Sequence, residues 1–194
     1  TDAAFETLSK STQQPNAKVR SQVVSDIASQ PKPNALNDLK RILSIEKNPM
    51  IRARAINGLA GHDDKQANKM IHQALGQNSF RNQIADAAIT ALRKQDKPAN
   101  ITKIRNLLEK EGSKFTTNGY ANAIRAIGFL GRKKKNKTDL REFLTHHIHN
   151  PKRRIALAAI DSLGQLGDPR VIATLEKFTN NAEGDSSRKA AEQA

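Results

Sequence analysis

Three histidines, His146, His147 and His149, crowd the stretch LTHHIHNP, and they are the first residues in this sequence whose type and spacing could do chemistry. His146 and His149 are three apart, so on a helix they share a face and could share a metal ion. The alternative is that the group closes a helix before Asn150-Pro151, where cations suit the negative end of the helix dipole. No cysteine occurs in the chain and the adjacent Asn150 is neutral, so nothing nearby completes a ligand set and no metal or cofactor is expected in this chain. None of His62, His72, His146, His147 or His149 is followed by glutamate, which excludes the helical His-Glu-x-x-His zinc motif. Among carboxylates, Asp63-Asp64 reads as a helix start and Glu109 with Glu111 as a solvated face. There is no nucleophile elbow around a serine and no glycine-rich phosphate loop. No catalytic residues are expected.

The second candidate is electrostatic. Arg132, Lys133, Lys134, Lys135 and Lys137 place five cations within six residues, a set that could grip phosphates or another anion. The same residues also read as a solvated turn after a helix C-terminus. The whole chain is basic, with 33 Lys and Arg against 19 Asp and Glu, net +14. That excess is diffuse: residues 1–97 carry 15 basic and 9 acidic residues, residues 98–194 carry 18 and 10. Base stacking has few platforms, since there is no Trp and one Tyr, Tyr120. Charge alone therefore permits nucleic-acid binding without specifying it.

These residues sit on elements that repeat. In IALAAIDSLGQLGDPR, residues 155–170, Ile155, Ala159, Ile160 and Leu163 share one helical face, and Gly167 with Asp168-Pro169 ends one helix and opens the next. The residue after the first apolar position of each such helix serves as a ruler: Arg20, Arg52, Ala85, Tyr120, Ala156 and Arg188, spaced 32 to 36 residues apart. Three past each anchor stand Val23, Ala55, Ala88, Ala123, Ala159 and Ala191; four past stand Val24, Ile56, Ile89, Ile124 and Ile160; seven past stand Ile27, Leu59, Leu92, Ile127 and Leu163. A companion stripe precedes each, as in Leu36, Leu39, Ile42 and Leu43 or Val171, Ile172, Leu175 and Phe178. All seven prolines are placed between helices, and no stretch alternates with period two. The fold class expected is all-α, a right-handed α-solenoid of about six helix pairs in one repeat domain over 1–194, with repeats near 1–30, 31–61, 62–95, 96–131, 132–167 and 168–194. The start at Thr1 and the stop inside the last helix are read as cuts in a longer polypeptide.

VRSQVVSDIA, IRARAINGLAG, IADAAITAL and IALAAIDSLGQLGDPRVIATLEK resemble the HEAT family of helical repeats over nearly the whole chain. The anchors Ala85, Tyr120 and Ala156 depart from the usual arginine, and Gly119 stands where an apolar residue is expected. FRNQIADAAITALRK, GYANAIRAIGFLG, LREFLTHHIHNPKRRIALAAIDSLGQLGDPRVIATLEKF and SRKAAEQA are further similar to the C-terminal HEAT region of bacterial zinc aminopeptidases of the aminopeptidase N type. That resemblance implies a non-catalytic accessory domain shaping substrate access, with zinc held by the catalytic domain of the parent protein. A protein- or peptide-binding scaffold and a basic HEAT-like nucleic-acid-binding module are the alternatives.

On the exposed face of the second helices, five past each anchor, lie Ser25, Asn57, Thr90, Arg125 and Asp161, flanked by Gln22, Arg54, Ala87, Asn122 and Ala158. Arg54, Asn57, Thr90, Arg125 and Asp161 are the candidate contacts on a concave face. No apolar run reaches the roughly 20 residues of a membrane span. A soluble chain is expected, its compartment undecided, with the cytoplasm one setting.

Overall fold

The computed structural model describes residues 2–30, 32–181 and 191–193, and all regular structure among them is helical. By contacts the chain divides into two compact units, Thr1–Gln95 and Asp96–Ala194.

The first unit holds α1 (Asp2–Lys10), α2 (Ala17–Ala28), α3 (Pro33–Ile45), α4 (Pro49–Leu59), α5 (Lys65–Leu75) and α6 (Gln83–Gln95). The second helices α2, α4 and α6 pack side by side as one layer, and α1, α3 and α5 lie against them as the other. Polar side chains start these helices where the sequence provides them. Asn16 and Asn48 accept from the backbone N–H groups of Lys18 and Met50, and Asp64 accepts from that of Ala67. Pro33 and Pro49 correct the placement of every proline between helices: each is the first residue of its helix, where the missing N–H costs nothing and the fixed φ suits the turn. Pro31 lies outside the described residues.

The second unit holds α7 (Ile101–Glu111), α8 (Thr117–Gly131), α9 (Thr138–His147), α10 (Arg153–Leu166) and α11 (Ile172–Asn181). Here α8 and α10 form the inner layer, with α7 on α8 and α9 against both. Thr116 accepts from the N–H of Gly119, so that glycine stands inside a capped first turn. Gly167 closes α10 at φ +61°, the left-handed region expected of it.

The repeat register is the core of both units. Ala55, Ala88, Ala123 and Ala159 are fully buried, and so are the apolar residues four and seven past their anchors. Small residues are needed because the layers approach closely. At Gly128 an added Cβ would stand 2.4 Å from the Ser162 Cβ and 2.8 Å from its Cα, so α8 and α10 meet almost backbone to backbone. Ser162 fits there because its hydroxyl turns back to donate to the carbonyls of Ala158 and Ile124. One stripe residue departs from expectation: Ile172 is 55% exposed, since a 3-10 turn over Pro169–Val171 precedes α11 and Val171 takes the buried place. The anchor Arg188 lies outside the described residues, while Ala191 is buried.

Candidate functional site

The five-cation stretch is mostly committed to the fold. Arg132 clasps Asp96 with two parallel bonds of 2.7 and 2.8 Å, and its guanidinium lies 3.7 Å from the centre of the Phe129 ring. Lys133 pairs with the same carboxylate. Lys137 reaches across the repeat and donates to the carbonyls of Leu166 and Gly167, which end α10. These hydrogen bonds, from Arg132 first and Lys133 second, hold the Asp96 carboxyl down at about 2. Asp96 stands at φ +55°, an uncommon conformation for a residue with a Cβ, so the clasp fixes a strained turn. Of the five cations, Lys134 and Lys135 are exposed and have no side-chain partner among the described residues.

Four of the five candidate contacts of the inner helices are likewise engaged, and the buried Asn57 Oδ1 has no hydrogen-bond partner among the described residues. In the first unit Arg54 is exposed and donates to the Ser25 hydroxyl at 2.9 Å, Thr90 donates to the Asp86 carbonyl at 3.1 Å, and Asn57 is half-buried. In the second unit Arg125 and Asp161, at equivalent positions of neighbouring helices, pair at 3.3 Å. The flanking positions do not all lie on an open face: Ala87 and Ala158 are buried, because residues two past the anchor turn toward the neighbouring helix where the packing is tight.

Three anchor residues tie their turn to the next. Arg20 donates to Glu46 at 2.9 Å and to the carbonyls of Gln14 and Pro15; Arg52 donates to Gln77 at 2.9 Å. In the second unit Tyr120 holds the same post and bonds His147 at 3.0 Å. The tautomer follows from the partners. His147 Nδ1 lies 2.8 Å from the Phe143 carbonyl, which can only accept, so Nδ1 carries the proton and Nε2 accepts from the tyrosine hydroxyl. Burial pushes the His147 imidazole below its ordinary range. It therefore closes α9 as a neutral ring, not as the cation expected there, while His146 and His149 are exposed. Among the described residues no group of three or more metal-ligating side chains converges.

Two features escaped sequence reasoning. The contacts of Arg20 and Arg52 bring the successive turns of the first unit to one edge. There Val19, Ile45, Met50 and Phe80 are all exposed, Phe80 at 69%, and Lys18, Lys47 and Arg81 stand exposed beside them. Arg81 lies over the Phe80 ring at 5.0 Å, and both Arg81 and Asn82 adopt positive φ, so a strained turn presents that pair. The signal available was an aromatic residue in the polar run QNSFRNQ. The other feature is a groove of about 690 Å³ in the second unit, between α7 and α9, lined by Arg105, Glu109, Tyr120, Glu142, Phe143 and His147 among others.

Residues 116–194 match the family model of HEAT repeats. The search of curated proteins finds no match. Among solved structures, the complex of CpcE and CpcF of phycocyanin lyase from Nostoc sp. PCC7120 contains a chain similar to this one. It aligns with a TM-score of 0.66 and 18% identity, over 96% of this chain and 74% of that chain. At that identity the likeness establishes the fold, an all-α solenoid, and not the activity. The narrower resemblance to aminopeptidases finds no support in these comparisons.

Proposed function

We propose that this chain is a non-catalytic helical-repeat scaffold that binds a protein partner along the turn edge of its first unit. The observation that carries the proposal is the exposure of Val19, Ile45, Met50 and Phe80: four large apolar side chains left in water at the helix-pair turns of a unit whose repeat register is otherwise buried. Scattered exposed apolar residues need no explanation, but four at the successive helix-pair turns of one unit do. Phe80 with Arg81 has the composition of an interface hot spot, an aromatic anchor beside an arginine. The surrounding Lys18, Lys47 and Arg81 favour a partner with an acidic rim around its apolar contact. A fold relative that works as one subunit of a two-protein complex is consistent with this role.

The test is capture of partners by the tagged chain and by a Phe80→Ala/Met50→Ser variant, followed by calorimetry of each purified pair. A partner whose affinity falls at least about tenfold in the variant supports the edge, since hot-spot truncations cost about 2 kcal/mol or more. Partners bound equally by both proteins would remove the edge from the interface. Binding abolished by nuclease would favour the nucleic-acid alternative.

A further inference from the structure

The groove between α7 and α9 reverses the charge of the molecule. In a chain of net +14, its lining brings together Glu109, Asp139 and Glu142 against one cation, Arg105. His147 adds no charge, since burial pushes its imidazole below the ordinary range despite the opposing hydrogen bond to the Phe143 carbonyl. Most carboxylates elsewhere have a close basic partner, as Glu46 has Arg20, Asp64 has Lys40, and Asp168 has Arg141 and Arg170. In the groove, Asp139 and Glu142 form no ion pair among the described residues, and Glu109 meets Arg105 only at 3.7 Å. Two unneutralised carboxylates therefore stand on its rim.

The floor is aromatic. Phe143 and His147 have ring centroids 4.5 Å apart, and Tyr120 and His147 have theirs 5.8 Å apart. The Tyr120–His147 hydrogen bond fixes two of these rings from separate helices, so the floor is preorganised. One guanidinium already uses it: Arg105 lies over the Phe143 ring at 4.8 Å. Aromatic faces below and free carboxylates above are the two elements that recognise a flat or alkyl organic cation.

We infer that this groove binds an organic cation of the guanidinium or alkylammonium class, carried on a small molecule or on a basic peptide, over the Tyr120–Phe143–His147 floor and against Asp139 and Glu142. Arg105 acts as an internal competitor, because its own guanidinium occupies one of the faces the ligand needs. The inference is independent of the edge proposed for protein binding, which lies in the other unit.

Tyr120 is the only tyrosine and there is no tryptophan, so intrinsic fluorescence reports this site alone. The protein is titrated with agmatine, with an acetylated and amidated Gly-Arg-Gly-Arg-Gly peptide, and with the same peptide carrying neutral citrulline for arginine. Saturable change with agmatine alone assigns a small-molecule source, and change with the arginine peptide at lower concentration assigns a peptide source. Asp139→Asn/Glu142→Gln weakens binding at least tenfold, and Arg105→Ala strengthens it severalfold. Circular dichroism checks that both variants remain helical, and isothermal calorimetry repeats the titration without relying on Tyr120. No saturable response to either cation, an equal response to the citrulline peptide, or affinity unchanged in both variants overturns the inference.

Discussion

At the scale of single residues, the decisive contacts are those that leave no room for adjustment. Gly128 faces the backbone of Ser162, so Gly128→Ala has to push α8 off α10 rather than displace a flexible side chain. Over-packing of this kind costs about 1–3 kcal/mol, and the denaturant midpoint of the variant is expected to fall accordingly. Unchanged stability would mean that the two helices do not meet there. His147 makes a pH prediction with a definite sign. Its folded-state pKa lies below the ordinary imidazole value, so below pH about 6.5 the unfolded chain binds a proton that the folded chain refuses. Its contribution is full above that pH and is lost as the pH falls. His62, also depressed by burial, acts in the same direction. Midpoints measured at pH 7.5 and 5.5 should drop toward acid, and His147→Gln should flatten the drop. An equal slope in the variant would place the titration elsewhere.

At the scale of elements, the sequence makes the register legible and the turns much less so. Ala55, Ala88, Ala123 and Ala159 can be identified because a position that must be small and buried repeats with the helix pair, whatever its neighbours are. The work of the turns is hidden because each polar partner lies about 25 to 36 residues away with no fixed identity. Arg20 meets Glu46, Arg52 meets Gln77, and Tyr120 does the same job with a histidine. The cation stretch shows the consequence. By spacing alone its five charges are equivalent, yet Arg132 and Lys133 hold Asp96 and Lys137 caps α10, while Lys134 and Lys135 face solvent. Lys134→Gln/Lys135→Gln is therefore expected to leave the denaturant midpoint unchanged, whereas Arg132→Gln/Lys137→Gln lowers it. The Asp96 carboxyl, held at about 2, adds stability that is complete above the ordinary carboxylate range and is lost as pH falls toward 2. The loss of stability toward acid should consequently be shallower in Arg132→Gln, where Asp96 keeps less of its depression. The groove was illegible for a related reason: Arg105, Tyr120, Glu142 and His147 come from three helices, and only folding makes them neighbours.

At the scale of the whole molecule, the question is what a net charge of +14 does once the paired cations are set aside. Many arginines and lysines serve the fold, and each carboxylate that neutralises one also removes it from the field available to a polyanion. What remains is a diffuse positive potential, broken by the acidic groove, and such a field steers encounters with acidic partners without choosing among them. Nucleic-acid binding, if driven by this field, is a pure counterion effect. It should weaken steeply with salt, show no preference among duplex sequences, and respond to individual lysines in proportion to their number. Lys134→Gln/Lys135→Gln can then reduce the slope of log Kobs against log salt by no more than about 2, because each phosphate contact contributes about 0.9. Titration of the parent and the variant against two unrelated duplexes across a salt series measures this directly. Sequence-selective submicromolar binding at near-physiological salt, abolished in the variant, would make Lys134 and Lys135 a defined anion site and move the function from protein scaffold to nucleic-acid recognition.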